Sequence, residues 1–375
     1  MLRSFRIQNF KSLLDFSLDE MGQFVCLVGL NGSGKTTVLQ ALDFVAHLAT
    51  GGLDEWFRER GWNRGDVRSK FSPRRHTLFD LTFDLAAGEV RWSATYSPVT
   101  SRCVREEFWV DGDSLLMVER GQMATQQGES DVDQFDYRGS VLSLFREFSE
   151  EGLAQLKEFL SQIKSLELLS PHRMRSRSRV AEDVGLGGEK IAGYIHSLKT
   201  DRRQAIEKEL KKFYPHMHRL RTKSGRAGWT EILLEEDYKQ PFFSLGLQTE
   251  SRHINDGLLR ILTLVAQVQT EHQILLFDEI ENGINPELAG TLVSYLLEAE
   301  QQIMVTTHNP VILNYLPDER AKESVFFLYR TAKGDTKAKR FFDVPVTSEK
   351  LEVLGPGEVF LDTSLTELAE ELGRA

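Results

Sequence analysis

Cysteine is scarce in this chain. Only Cys26 and Cys103 occur among its 375 residues. That excludes a disulfide framework and leaves too few thiols for a zinc site. Cys26 lies in an apolar run and reads as a buried small hydrophobe. Long hydrophobic runs are also missing: none reaches the roughly 18 residues that a membrane helix needs, so no membrane span is expected. The start, Met1-Leu2-Arg3-Ser4-Phe5-Arg6, leads straight into a strand-like pattern and lacks a signal-peptide core. The expected location is the cytoplasm. No heptad pattern is sustained, which excludes long coiled-coil arms. Positive charge is short overall, with a formal net charge of −10, so a surface basic all over is excluded. The deficit is uneven, however. Between His172 and Arg226 there are 15 Lys/Arg against 6 Asp/Glu. Such asymmetry suggests one basic face aimed at a polyanion or an acidic partner.

What the chain does have is a complete G-x-x-x-x-G-K-[ST] loop, Gly29-Leu30-Asn31-Gly32-Ser33-Gly34-Lys35-Thr36. It follows the apolar run Phe24 to Val28 and opens a helical pattern from Thr36. That strand–loop–helix setting raises the match above chance. Its glycines let backbone N–H groups turn inward around phosphate oxygens, and the helix N-terminus adds positive potential. Asn31, Gly32, Ser33, Gly34, Lys35, Thr36 and Thr37 are the expected nucleotide contacts. Lys35 would reach the β- and γ-phosphates, and the Thr36 hydroxyl would take a place on Mg²⁺.

The helix runs to about Leu48 and stops at Gly51-Gly52. An Arg-rich stretch without clear period (Arg58 to Arg75) follows. From Thr77 the pattern alternates, with Phe79, Leu81, Phe83 and Leu85, then Val90, Trp92, Ala94 and Tyr96 across an Ala87-Gly88 turn. Glu107 to Asp111 and Ser114 to Glu119 flank a second hairpin signal at Asp111-Gly112-Asp113, and together these predict an antiparallel sheet unit. Residues 122–137 read as a mobile loop. From about Val141 to Phe213 helical spacing dominates, interrupted at Pro171 and at Gly185 to Gly188. Thr230 to Glu236 returns to strand character. Helix Leu258 to Gln269, strand Gln273 to Phe277, helix Pro286 to Glu298 and strand Gln302 to Thr306 then give the alternation of a parallel sheet. The expected organisation is an α/β nucleotide-binding fold split in two. Residues 1–135 carry its first part and the antiparallel β unit. Residues 136–228 form a helical basic insert, and 229–375 form the second part.

Two further stretches carry chemistry. Ile274-Leu275-Leu276-Phe277 ends in Asp278-Glu279, which puts two carboxylates at the edge where phosphate-loop folds gather ligands. Asp278 would hold Mg²⁺, and Glu279 would polarise the water that attacks the γ-phosphate. One strand later comes Thr306-Thr307-His308-Asn309-Pro310. His308 there can donate a hydrogen bond to the γ-phosphate. Lys35, Glu279 and His308 are the candidate catalytic residues.

Together these stretches resemble the ABC-type ATPases of the SMC, RecF and OLD group, and most of all the compact AbiEii-type AAA family ATPases of bacterial defence systems. Ile7-Gln8-Asn9-Phe10-Lys11-Ser12 resembles the group's opening, and Ser251-Arg252-His253-Ile254-Asn255-Asp256-Gly257-Leu258-Leu259-Arg260 its signature. Asp278 to Pro286 resembles the run that joins the Asp-Glu pair to the D-loop, and Gly355-Pro356-Gly357-Glu358-Val359-Phe360 a tail motif of the compact members. The resemblance is strong over about 100 residues in two blocks and weak over the insert. It implies an ABC-ATPase fold of the RecF/SMC kind with an antiparallel β subdomain, binding ATP and Mg²⁺ and hydrolysing ATP. It also implies that a homodimer or higher oligomer sandwiches the nucleotide. Asn255, Asp256 and Gly257 would approach the γ-phosphate held by the other protomer, and Asn282 and Gly283 would cross the seam. Asn255 replaces the usual serine, and no glutamine stands at a convincing Q-loop position. These departures suggest slow hydrolysis with ATP acting as a clamp.

Arg173, Arg175, Arg177 and Arg179 alternate after Ser170-Pro171 and suit contact with phosphates. DNA, RNA and an acidic protein all remain open as partners of this run. The leading functional expectation is a sensor or regulatory subunit of an anti-phage defence complex whose effector, expected to be a nuclease, is a separate chain. The alternative is a RecF-like repair ATPase acting on DNA directly.

Overall fold

The computed structural model describes residues 1–125, 128–146, 148–167, 170–238 and 247–374. Strands β1 (Leu2–Phe10) and β2 (Leu13–Leu18) form a hairpin, and β3 (Phe24–Val28) delivers the phosphate loop to helix α1 (Lys35–Thr50). Gly51, at φ 80, ends that helix in the left-handed conformation that glycine adopts without strain. Helix α2 (Leu53–Arg60) follows. Then β4 (Thr77–Leu85), β5 (Gly88–Ser97), β6 (Arg102–Val110), β7 (Asp113–Glu119), β8 (Gln122–Thr125) and β9 (Gly128–Asp131) run antiparallel. With the first hairpin they make an eight-stranded sheet in the order β2-β1-β4-β5-β6-β7-β8-β9.

The chain next forms α3 (Glu151–Ser161), β10 (Ile163–Leu166), α4 (Pro171–Met174), β11 (Ser178–Arg179), α5 (Ile191–Ser197), α6 (Thr200–Phe213), β12 (Met217–Ser224), β13 (Trp229–Glu236) and β14 (Leu247–Glu250). It returns through α7 (Asp256–Val268), β15 (Ile274–Phe277), α8 (Pro286–Leu297), β16 (Gln302–Thr306), α9 (Pro310–Leu313), α10 (Asp318–Ser324), β17 (Val325–Arg330) and β18 (Thr336–Arg340). Three helices, Pro345–Leu351, Pro356–Asp362 and Leu365–Arg374, complete the tail.

The second sheet has the order β10-β15-β16-β3-β17-β18 and is parallel except at its last pair. Its strands are buried on both faces, so they read as continuous apolar runs. Side chains alternate between two cores. Cys26, Leu275, Phe277 and Val305 enter the core beneath α7 and α8. Val25, Leu27, Leu276 and Met304 enter the core shared with α1 and the antiparallel sheet. This sandwiching fixes the phosphate loop, the end of β15 and the end of β16 side by side, because β16 pairs with both β15 and β3.

Two stretches differ from the sequence-based expectation. The loop expected at 122–137 contains the hairpin β8–β9, whose residues pair as polar, mostly exposed strands without an apolar face to announce them; residues 126–127 lie outside the described residues. The stretch 136–228 is not helical throughout. β10, four residues long, joins the phosphate-loop sheet beside β15, and a run this short cannot be told from a buried helical turn by periodicity. The cations from His218 to Lys223 lie on β12, paired with β13.

Candidate functional site

Three glycines of the phosphate loop sit at positive φ: Gly29 at 145, Gly32 at 76 and Gly34 at 110. Space as well as φ demands them. A Cβ on Gly29 would stand 2.3 Å from the Leu328 carbonyl oxygen, and one on Gly34 2.6 Å from Thr336 Oγ1. Gly34 caps α1 without a side chain, so the first N–H groups of the helix are left for an anion. Ser33 Oγ is buried without a partner. Lys35 Nζ donates to the Gly29 and Leu30 carbonyls of its own loop, at 2.9 and 3.1 Å. Burial lowers its pKa to about 8, against the opposing pull of Asp278, Glu279 and Glu281. A cradle of free donors around a poorly solvated ammonium fits a polyphosphate.

Thr36 Oγ1 donates to both oxygens of Asp278, at 3.1 and 3.0 Å. Thr306 Oγ1 donates to Asp278 at 2.6 Å. Burial pushes the Asp278 carboxyl upward, partly offset by these two hydroxyls. Thr36 and Asp278, from strands' ends 242 residues apart, thus form the hydroxyl–carboxylate pair that fits Mg²⁺. Glu279 has φ 49, a left-handed conformation costing a non-glycine residue about 1–3 kcal/mol. Its N–H donates to Thr306 Oγ1 at 2.8 Å, and Asn282 Nδ2 donates to its Oε2 at 3.3 Å. His308 Nε2 lies 3.5 Å from Glu279 Oε1. The His308 N–H donates to Glu281 at 2.7 Å, which anchors the histidine loop to the turn that carries Glu279. Asn31 and Gly32 are exposed and Thr37 half-buried beside this cluster.

The other expected residues gather elsewhere. Asn255 caps α7, its Oδ1 accepting from the Leu258 N–H at 2.8 Å. A Cβ on Gly257 would meet the Gly283 carbonyl oxygen at 2.8 Å, and one on Gly283 (φ 70) would meet Arg260 Nε at 3.1 Å. The signature and the D-loop therefore touch, with Arg260 laid across them. Among the described residues, no hydrogen bond joins Asn255, Asp256 or Gly257 to the phosphate loop.

The arginine run is divided. Arg175 donates to the Ile254 carbonyl at 2.9 Å and pairs with Asp256. Arg177 pairs with Glu231 at 3.0 Å, and Arg179 covers the Trp229 ring. Arg173 is exposed. On β12, Arg221 meets Glu235 and Lys223 meets Glu231 and Glu250. Four of these cations, Arg175, Arg177, Arg221 and Lys223, are thus met by carboxylates that β13, β14 and α7 bring alongside.

Sequence reasoning missed a buried network at the end of β10. Gln40, one helical turn after Thr36 on α1, donates to Glu167 at 2.9 Å. Arg60 pairs with Glu167 at 2.5 Å and with Asp43 at 2.6 Å, all three side chains being at most 6% exposed. Lys11 donates to Gln40 at 2.9 Å and caps the Trp62 ring. Desolvation lowers its pKa to about 8. The glutamine that faces the strand end beside β15 is therefore Gln40 from the helix, opposite Glu167. The spacing Thr36–Gln40 was the signal available, but it has meaning only once β10 is placed.

Comparison with known proteins follows this geometry. Residues 24–314 match the family model described as "AAA domain, putative AbiEii toxin, Type IV TA system". No curated protein sequence matches the chain. Among solved structures, the chain is similar to the SmcHead bound to the C-winged helix domain of ScpA, at 15% identity and TM-score 0.57, covering 90% of this chain and 96% of that one. It is similar to an Smc head with an extended coiled coil from Pyrococcus furiosus, bound to the C-terminal domain of ScpA (14%, TM-score 0.54, 90% and 95%). The SMC head domain from Thermotoga maritima is a third (12%, TM-score 0.51, 90% and 98%). At these identities the likeness shows the fold, that of SMC-head ABC-type ATPases, here without a long coiled coil among the described residues. The chain belongs to the AAA domain family of putative AbiEii toxins.

Proposed function

We propose that this chain is an ATP-binding and hydrolysing subunit that closes into a homodimer around ATP and acts as the sensor or regulator of a bacterial anti-phage defence complex. One observation carries the reading. Phosphate loop, Asp278, Glu279 and His308 meet in one cluster, whereas Asn255 to Gly257 are finished against the D-loop and Arg175 instead. Such a signature needs a second protomer to meet a nucleotide.

In this reading Lys35 leaves its loop carbonyls for the β- and γ-phosphates, and N–H groups of the loop and of the first turn of α1 hold phosphate oxygens. Thr36 and Asp278 hold Mg²⁺, which when bound supplies the charge that screens the phosphates. Glu279, fixed by Thr306 and Asn282, takes a proton from the attacking water. His308 donates toward the γ-phosphate and orients Glu279. The Asn255 carbonyl oxygen is spent on its own helix cap, which leaves its amide N–H₂ to donate in trans where the group usually has serine. Asn282 and Gly283 form the seam beside it.

The effector is a separate chain, and a nuclease is the reading we favour. The family's description as a putative toxin of a type IV system fits a protein that acts within an operon pair. Solved Smc heads that carry a bound ScpA domain offer a precedent for a protein partner on this fold. No helix among the described residues is long and apolar enough to cross a membrane, and we place the protein in the cytoplasm. Copurification with its operon neighbours tests the assignment; a clean, ATP-insensitive monomer with no associated chain would sink it.

The second reading, a RecF-like ATPase acting on DNA, is favoured by a different surface from the arginine run. Arg68, Lys70, Arg74 and Arg75 are exposed, and none has a carboxylate partner among the described residues. Exposed Phe71 stands among them. Asn9 ties this loop down by donating to the Arg74 and His76 carbonyls at 3.0 and 2.7 Å. Unpaired cations around an aromatic suit a nucleic-acid contact. Salt-sensitive DNA binding lost on replacing these four, but kept on replacing Arg173 and Arg179, would support it; no DNA binding by the isolated protein would remove it.

A further inference from the structure

We infer that Arg175 is a positioning residue for the half of the site offered to the partner's nucleotide. It neutralises Asp256 and pins the signature loop. The inference rests on the sandwich reading above. Three contacts staple residues 251–256 to residue 175. Arg175 Nη2 donates to the Ile254 carbonyl at 2.9 Å, the same nitrogen meets Asp256 Oδ1, and Ser251 Oγ donates to the Arg175 carbonyl at 3.0 Å. Arg175 Nε is buried and has no partner, so the guanidinium is committed to the signature through one edge only. The residue before it, Met174, is fully buried and lies against Thr263 of α7. Arg175 is therefore held where it stands by packing on the signature helix itself.

The charge logic explains why an arginine belongs there. Asp256 is the first residue of α7, between Asn255 and Gly257. A carboxylate at a helix N-terminus is favourable within its own chain. Facing a triphosphate at close quarters it becomes repulsive. In the free protomer the Asp256 side chain is 59% exposed and that of Arg175 28% exposed, so water screens the pair and it contributes little to folding. When a second protomer covers this face, the same pair loses water, and removing the arginine would leave a carboxylate against phosphate. The contribution of Arg175 therefore depends on state: small in the monomer, large in the closed dimer.

The test is a charge-rescue cycle in the Glu279→Gln background, read as the ATP-dependent monomer–dimer constant by sedimentation velocity, with thermal melts and ATP affinity of the monomer alongside. Arg175→Ala should weaken dimerisation by on the order of tenfold or more while leaving the melting point and monomeric ATP binding close to those of the parent. Asp256→Asn alone should have a small effect. Adding it to Arg175→Ala should restore most of the lost dimer. If Arg175→Ala dimerises like the parent, or if Asp256→Asn fails to rescue it, the inference is overturned while the sandwich stands. A lowered melting point without rescue would show a merely structural role and overturn it equally. If the Glu279→Gln parent itself stays monomeric with ATP, the sandwich reading falls and takes this inference with it.

Discussion

The two halves of the candidate site are built to different standards of completion. The half around the phosphate loop closes on itself: Lys35 on loop carbonyls, Thr36 and Thr306 on Asp278, Asn282 and His308 beside Glu279. Elements more than 200 residues apart are locked together because two cores grip the parallel sheet from both faces. The half around Asn255 to Gly257 is equally well anchored from behind, by the cap to Leu258, by Gly283 and by Arg175. Among the described residues, no hydrogen bond joins Asn255, Asp256 or Gly257 to the phosphate-loop half of its own chain. The difference lies in what each half faces rather than in how firmly it is held: both are anchored, but only the first gathers the phosphate loop, Asp278, Glu279 and His308 in one place.

The comparison is broken most severely at Lys35. Lys35→Ala should weaken ATP binding by about 100-fold or more, as loss of a buried charge-assisted phosphate contact does, measured by calorimetry; retained affinity would mean that the loop cradle alone suffices. Glu279→Gln should reduce turnover by on the order of 100- to 10,000-fold with ATP affinity nearly unchanged. It should also accumulate the dimer. Unchanged hydrolysis would remove Glu279 as the base. Asn255→Ala sharpens the contrast, since it leaves the phosphate loop untouched. Loss of the cap costs about 1 kcal/mol of stability, and ATPase activity should fall while monomeric ATP binding stays. Equal loss of both would erase the distinction between the halves.

The smallest effect on turnover is expected far from either half. Glu106 is fully buried in the antiparallel sheet, with Trp92, Ser140 and the Val141 N–H as donors. Burial raises its pKa from 4.5 to about 8. A raised folded-state pKa means that folding takes up a proton, so this stability is fully present below about pH 4.5 and is lost as pH rises through about 8. Urea melts at pH 5.5 and 8 should show the decline in the parent and a flatter profile in Glu106→Gln. An identical slope in both would assign the pH dependence to other groups.

The residues of the closed half were legible in the sequence because each sits at a strand end with a local pattern: five apolar residues before Gly29, four before Asp278, and Ile303-Met304-Val305 just before Thr306-Thr307. The antiparallel unit was legible through its alternation. What could not be read was anything decided by pairing across sequence distance. β10 is too short to show a period, so its place beside β15 and the network at Glu167, Gln40 and Arg60 stayed hidden. The partners of Arg175, Arg177 and Arg221 could not be read for the same reason: Asp256, Glu231 and Glu235 lie far along the chain but next door in space. Arg260 lay within the signature pattern, but its position over Gly283 follows only from the fold.

Mixing two inactive variants tests the composite site most directly. Lys35→Ala destroys the phosphate-loop half, and Asn255→Arg blocks the half offered in trans. Each alone should be inactive as a homodimer, and both should melt like the parent. In a one-to-one mixture, heterodimers would carry one intact site each. ATPase activity should return, toward about a quarter of the parent level if sites act independently and subunits exchange freely. A mixture that stays as inactive as its components, despite heterodimers seen by differential tagging, would contradict a nucleotide site shared between two protomers.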